Sequence, residues 1–321
     1  MDLLKILNEA IDRLPKGDHS PGLAAIVRHI SIAIKHFDRR GEDDIDSFTD
    51  AIYRANQAYE GSLKEAYRVL AGKDPAGKTP NEIEKYLESK GSVRPRVLTQ
   101  LTRYRQDYRN PSTHDYKLDF DEDEAILAIV SVCAFSKLLI DQISERLAFD
   151  QAAAAPPPED LKDLNLNDPT VFAKTIVDTA MEYALKSDPV LSYSQFEGGL
   201  AGRLSSIGFQ VDLSAEILTS DGDGYSWDLL VRYGELSFPI ETRLVSRIFE
   251  KSEPHGLLYV ALGVSELTYP SGMVILLNST GGSYSAYKVE MPQGFFYVIS
   301  HYGEKDIRKM DTGISRVESL S

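Results

Sequence analysis

The residues whose types and spacing could do chemistry are concentrated in one run, Tyr104-Arg105-Gln106-Asp107-Tyr108-Arg109-Asn110-Pro111-Ser112-Thr113-His114-Asp115. Cleaving RNA without a metal requires two things. One is a group that titrates near neutrality, to move the proton of the 2′-hydroxyl or of the leaving oxygen; the other is a fixed cation, to hold the phosphate as charge develops. His114 suits the first task and Arg109 the second, because a guanidinium grips phosphate with paired hydrogen bonds. Asn110 could orient either the imidazole or the substrate. Lys90, Arg94, Arg96, Arg103 and Arg105 lie just upstream with Asp107 the only acid among them, so Arg103 and Arg105 are candidate substrate contacts. The plainer reading is that Arg109 partners a helix end, Asn110 and Pro111 stop the helix, and His114 is a surface loop residue.

A second set is spread more widely: Glu197, Asp228 in Tyr225-Ser226-Trp227-Asp228, and Glu241 in Phe238-Pro239-Ile240-Glu241-Thr242-Arg243. With a hairpin between them, Asp228 and Glu241 project from neighbouring strands towards one place, and two such carboxylates can hold Mg²⁺ for phosphodiester hydrolysis. A third set, Gly72-Lys73-Asp74-Pro75-Ala76-Gly77-Lys78-Thr79, matches the phosphate-loop pattern GxxxxGK[ST] letter for letter. Its context argues otherwise. The residues before it, Leu63 to Leu70, read as helix rather than strand, and Thr79, Pro80 and Glu82 form the start of another helix with a capping box. The expectation is a structural turn. His29 and His36 are two turns apart on one helix, too far to share a metal ion, and His255 and His301 have no neighbouring partner in sequence. Trp227 is expected to anchor a core.

The elements that must position these residues follow from hydrophobic periodicity. Helices are expected near 2–14, 21–38, 44–71, 80–89, 95–108 and 121–148, with Pro111 ending the fifth and His114 emerging in the connection that follows. The last helix opens on Asp121, Glu122, Asp123 and Glu124, which suit the positive end of a helix dipole, and is then so apolar that it must be covered on most sides. The run Gln151 to Asp160, with prolines at 156, 157 and 158, reads as a semi-rigid linker. Beyond it, helices near 169–186 and 192–207 precede strands near 209–218, 225–233, 236–245, 257–264, 272–278, 284–290 and 295–302. The turn signals Asp221-Gly222-Asp223-Gly224 and Tyr233-Gly234-Glu235 make the first three strands a meander. The expected fold is therefore multidomain: an all-α bundle over 1–150, an Ala/Pro-rich linker over 151–167, and an α/β domain with a mixed sheet over 168–321.

Composition bounds the partners. A chain of 321 residues is long for one compact domain and long enough for two. Thirty-five Lys+Arg against 49 Asp+Glu give a net charge of -14, which argues against a whole-molecule grip on nucleic acid or anionic lipid. Residues 1–150 hold 22 basic and 26 acidic side chains, and residues 151–321 hold 13 and 23, so a local basic patch belongs to the first half. The single cysteine, Cys133, excludes an intrachain disulfide and suits a reducing cytoplasm. No stretch approaches the ~20 uninterrupted apolar residues of a membrane span, and Met1 to Lys5 reads as the start of an amphipathic helix rather than a signal peptide.

The helical half ending in Arg109-Asn110-Pro111-Ser112-Thr113-His114, followed by a short acidic stretch and a long apolar helix, resembles the HEPN family of ribonucleases and their inactive relatives over about residues 40–148. The resemblance implies a metal-independent endoribonuclease of a bacterial defence or toxin type. Arg109, Asn110 and His114 would be its catalytic residues, and its site would form where two copies of the motif meet in a homodimer. Over about residues 170–265 the order of helix, meander, helix and strand is similar to the PD-(D/E)xK restriction-endonuclease fold, with Asp228 and Glu241 as its metal ligands and Mg²⁺ as its ion. Arg243 stands where that family has lysine; a guanidinium keeps its proton and cannot help activate water as a desolvated lysine can. This implies a domain that senses a trigger or binds a partner protein. Two other classes stay open: a Mg²⁺-dependent DNA endonuclease dimerised by the helical half, and a non-catalytic regulatory or antitoxin-like module.

Overall fold

A computed structural model describes residues 2–39, 46–115, 117–157, 164–187, 192–218, 224–245, 271–278, 282–291, 294–308 and 314–320. The strand expected over 257–264 lies outside them. The chain forms two compact units, Met1–Leu147 and Ala148–Ser321.

The first unit is helical. Its elements are α1 (Leu3–Asp12), α2 (Ser20–Asp38), α3 (Ser47–Leu70), α4 (Pro80–Ser89), α5 (Pro95–Tyr104), a π turn (Arg105–Arg109), α6 (Asn110–His114) and α7 (Glu122–Ala153), whose residues from Ala148 on belong to the second unit. The core beneath the Arg105–His114 segment is aromatic: Tyr59, Tyr104 and Phe135 are buried, with ring centroids 5.1 to 5.7 Å apart. Each such pair adds roughly 0.5–1.5 kcal/mol beyond the area it buries. The phosphate-loop look-alike is a turn between α3 and α4. Gly72 and Gly77 take positive φ there, and Thr79 and Glu82 cap α4 reciprocally, Glu82 accepting the Thr79 amide at 2.9 Å.

Some expectations are corrected. Pro111 does not end the helix: α5, the π turn and α6 run on without a break from Pro95 to His114. An interior proline removes one amide and drives its ring against the carbonyl four residues back. Here the turn before it is widened, the Asn110 amide donating to the Arg105 carbonyl five residues back, which makes room for the ring. His114, expected in the connection, is instead the last helical residue, and the helix ends at Asp115, whose backbone is extended. The second correction concerns α7, which is long and apolar enough by length and composition to cross a membrane, although more than half of its most apolar stretch is buried inside the protein. This helix also continues to Ala153, so the first three residues assigned to the linker are helical.

The second unit carries α8 (Pro169–Lys186), α9 (Tyr193–Ser206) and a sheet of strands β1 (Gln210–Leu218), β2 (Gly224–Tyr233), β3 (Leu236–Val245), β4 (Ser271–Asn278), β5 (Ser285–Met291), β6 (Gly294–Ser300) and β7 (Arg316–Ser319). Their order is β1-β2-β3-β4-β6-β5-β7. The sheet is mixed: β1, β2 and β3 form the expected antiparallel meander, β3-β4 and β4-β6 are parallel, and β5 is antiparallel to both its neighbours. Alternation gives it two apolar faces. Leu229, Val231, Ile240, Met273 and Ile275 pack with α8 and α9, while Val274, Leu276, Val289 and Val298 join Ile307 and Val317 on the other side. Ile307 ends a short helix, α10 (Glu304–Ile307), that the sequence reading did not foresee, and β7 was not foreseen either. On α9, Gly202 is fitted to the chain before the linker, since a Cβ there would lie 2.3 Å from the Phe149 carbonyl oxygen.

Candidate functional site

In the first unit the catalytic candidates sit on the last two turns of the long α5–α6 segment. Arg109 closes the π turn, and its guanidinium is held by Glu60 of α3, with Nε and Nη2 donating to Oε1 at 3.2 and 3.1 Å. Its third nitrogen, Nη1, faces Asn110 Oδ1 at 3.4 Å. Arg109 and Glu60 keep 24% and 29% of their side chains in solvent, so the pair is a half-open cradle rather than a buried one. His114, one residue before the helix ends, is exposed. Five residues separate it from Arg109, which on a helix of 3.6 residues per turn places the two side chains about 140° apart and roughly 7.5 Å apart along the axis. One chain therefore does not bring both groups onto the same face.

The backbone between them is pinned. Asn56 Nδ2 donates to Ser112 Oγ at 2.7 Å, Tyr104 Oη donates to Asn56 Oδ1 at 2.9 Å, and Tyr53 Oη donates to the Ser112 carbonyl at 3.1 Å. Tyr53, Asn56 and Glu60 follow the i, i+3, i+7 spacing of one helical face, and that polar stripe on α3 was the signal in the sequence that could have found them. The upstream arginines divide. Arg103 is exposed, whereas Arg105 is spent on Glu84 at 2.9 Å, a carboxylate only 4% exposed that also takes the Tyr59 hydroxyl. Burial first, then the neighbouring Glu84 charge, pushes the Tyr59 phenol far above its ordinary range. Arg105 thus serves the bundle's interior, whereas Arg103 faces solvent.

In the second unit the structure brings Asp228, Glu241 and Arg243 together, while Glu197 reaches Thr242 from the other face of β3. The β2–β3 ladder is in register from Tyr233–Leu236 to Leu229–Ile240. Beyond it the Asp228 carboxylate takes the place of a backbone acceptor, receiving the Thr242 amide at 2.7 Å. The Thr242 hydroxyl lies 2.7 Å from Glu197 Oε1 and 3.0 Å from Asp228 Oδ2; it has one proton, so it serves the nearer, Glu197, while the amide serves Asp228. On the other side of Asp228, Ser214 of β1 takes a left-handed backbone, φ 52°, where the pairing of Leu213 with Leu229 and of Ala215 with Trp227 leaves it opposite Asp228. Strain of this kind in a non-glycine residue persists only where its surroundings over-determine it.

Glu241 and Arg243 leave β3 on the face opposite to Thr242. Arg243 Nη2 pairs with Glu241 Oε1, and its Nη1 lies 3.6 Å from Asp228 Oδ2 and donates to the Thr242 carbonyl at 2.9 Å. Glu241 is 3% exposed and its Oε2 has no hydrogen-bond partner. Burial, reinforced by Asp228 and opposed by Arg243, raises the Glu241 carboxyl to about 7. Thr242, the unnamed middle residue of Glu241-x-Arg243, is the contact that sequence reasoning missed. Among the described residues no group of three or more His, Cys, Asp or Glu is arranged to hold a metal ion. Trp227 is fully buried, as expected of a core anchor.

No protein-family model, no curated protein and no solved structure matches this chain.

Proposed function

We propose that the helical unit is a HEPN-like, metal-independent endoribonuclease that acts as a homodimer in the cytoplasm, of the kind used in bacterial defence or growth arrest. The observation that carries this reading is the pairing of a cradled, half-exposed Arg109 with an exposed His114 on one pinned helix end. In the reaction, His114 moves the proton of the 2′-hydroxyl or of the departing 5′-oxygen. Arg109, steadied by Glu60 and Asn110, holds the non-bridging phosphate oxygens as charge builds on them. The products are a 2′,3′-cyclic phosphate and a 5′-hydroxyl. Because about 140° of helix separates the two groups, the arginine of one copy and the histidine of another would serve the same phosphate. The apolar outer face of α7, with Ile126, Val130 and Leu138 exposed at helical spacing, offers the surface for pairing. In this reading the second unit, a restriction-endonuclease-like fold by its meander and parallel β4, senses a trigger or restrains the first.

The test is incubation of the full chain with mixed RNA in EDTA beside Arg109→Ala and His114→Ala. Cyclic-phosphate ends from the wild type alone support the reading. Intact RNA in every lane, or cleavage by all three proteins alike, removes it.

A further inference from the structure

The acidic cluster of the second unit contains its own cation. Asp228 and Glu241 are 25% and 3% exposed, and a carboxylate as buried as Glu241 costs several kcal/mol unless a positive charge compensates it. That charge comes from two residues further along the same strand, on the same face, where the Arg243 guanidinium pairs with Glu241 and flanks Asp228. The carbonyl of Thr242 fixes its orientation.

A divalent ion is what the resemblance to metal-dependent nucleases implies for Asp228 and Glu241, and the residues present do not fit one. Mg²⁺ requires a near-octahedral shell of oxygens at roughly 2.0–2.1 Å. The approach to Glu241 Oε1 is filled by guanidinium nitrogen, and Glu197 meets Thr242 on the opposite face of β3. Arginine also stays charged at any ordinary pH, so it cannot yield its place by losing a proton as lysine can.

We propose that Arg243 stands as the resident cation of the Asp228–Glu241 pair, taking the place of a divalent ion, so that this unit is held together without metal and performs no metal-dependent hydrolysis. The strained Ser214 and the splayed end of the β2–β3 ladder are then features of a closed polar junction that orders three strands and α9 around Asp228 and Thr242.

The experiment is a Mn²⁺ titration of the full chain, followed by electron paramagnetic resonance and by thermal unfolding, on the wild type, Asp228→Asn, Arg243→Met and the double variant. The wild type and Asp228→Asn are expected to bind Mn²⁺ equally weakly, with no ion-dependent rise in Tm. Arg243→Met is expected to lose stability and to bind Mn²⁺ at least about tenfold more tightly than the wild type, regaining part of its Tm; adding Asp228→Asn should abolish that response. Wild-type binding that disappears in Asp228→Asn overturns the proposal, and so does an Arg243→Met protein that folds yet ignores the ion. Should Arg243→Met fail to fold, the comparison of wild type with Asp228→Asn decides alone. RNA cleavage by the helical unit is read in EDTA and is independent of either outcome.

Discussion

The helix end at Arg109–His114 and the strand junction at Asp228–Arg243 are both built from an arginine with acidic and polar neighbours, yet they differ in what is left over. At the junction the partners all come from within the chain: Arg243 serves Glu241 and Asp228, and Thr242 serves Asp228 and Glu197, with Glu241 Oε2 the one buried oxygen left over. At the helix end Arg109 has one charged partner, Glu60, on a half-exposed pair, and His114 stands in solvent on another face. A closed constellation stabilises a fold; an incomplete one has capacity for a second molecule. Proximity of catalytic-looking residues is thus a poor guide by itself, because the tighter of the two clusters is the one with less chemistry left to do.

The contrast can be broken most decisively by complementation. If the helix end is incomplete within one chain, Arg109→Ala and His114→Ala should each lower RNA cleavage by roughly 10²–10⁴-fold, the usual weight of a proton-transfer group or a charge-stabilising one. Mixing the two variants, with subunit exchange, should restore activity to a sizeable fraction of wild type, since each mixed pair contains one intact arginine facing one intact histidine. A mixture as inactive as its components would place both groups at one site within one chain and end the comparison.

Stability measurements sharpen it next. Glu84 is buried and accepts from Tyr59 and Arg105, so Glu84→Ala leaves a partly buried guanidinium and a buried hydroxyl unanswered and should cost about 3–5 kcal/mol in urea unfolding. Glu60→Ala removes the partner of a half-open arginine on the same helical segment and should cost at most about 1 kcal/mol. Equal losses would mean that the Arg109 cradle is as structural as the Arg105 one.

Much of this was legible in the sequence, for identifiable reasons. The helices flanking Arg109 and the meander holding Asp228 and Glu241 have strong periodicity and explicit turn residues, and each lies within a few residues of its expected place. The meeting of Asp228 and Glu241 followed from the hairpin that joins their strands. What failed was local chemistry with two outcomes. Pro111 is a helix stop unless the turn before it widens, and nothing in Arg105-Gln106-Asp107-Tyr108 announces a π turn. The roles of Glu60 and Thr242 depend on which helix or strand lies opposite, a matter of tertiary packing. The closing strand β7 has only four residues and one buried side chain, Val317, too short for alternation to declare itself.

A pH series separates the regions again, with a smaller effect. Glu241 is raised from 4.5 to about 7, mainly by burial and next by Asp228. The folded state therefore binds that proton more tightly than the unfolded chain. The stabilisation this represents is fully present below pH 4.5 and is lost as pH rises through 7, amounting to about 3 kcal/mol at about 1.4 kcal/mol per unit. From pH 5 to pH 8 the urea midpoint of the wild type should fall relative to that of Glu241→Gln, in which Glu65, His29 and His301 still titrate as they do in the wild type. A wild-type response no different from that of Glu241→Gln would show that Glu241 is ionised throughout and that Arg243 compensates it fully.

The smallest effect belongs to the turn that imitates a phosphate loop, where the contrast between letters and use is sharpest. A phosphate loop needs amides converging at the start of a helix fed by a strand, with its threonine free to meet a metal ion. Here α3 feeds the turn, and Thr79 accepts the Glu82 amide at 3.3 Å while Glu82 takes the Thr79 amide, so the hydroxyl and the carboxylate are both committed to capping α4. Thr79→Ala should therefore cost about 1 kcal/mol, the ordinary worth of an N-cap. Lys78→Ala removes only an exposed ion pair with Glu82 and should leave the unfolding midpoint within ~0.5 kcal/mol of wild type. Neither the wild type nor Lys78→Ala should gain Tm from ATP with Mg²⁺. An ATP-dependent rise lost in Lys78→Ala would assign the turn to nucleotide binding, because capping gives the lysine no part that a phosphate could reveal.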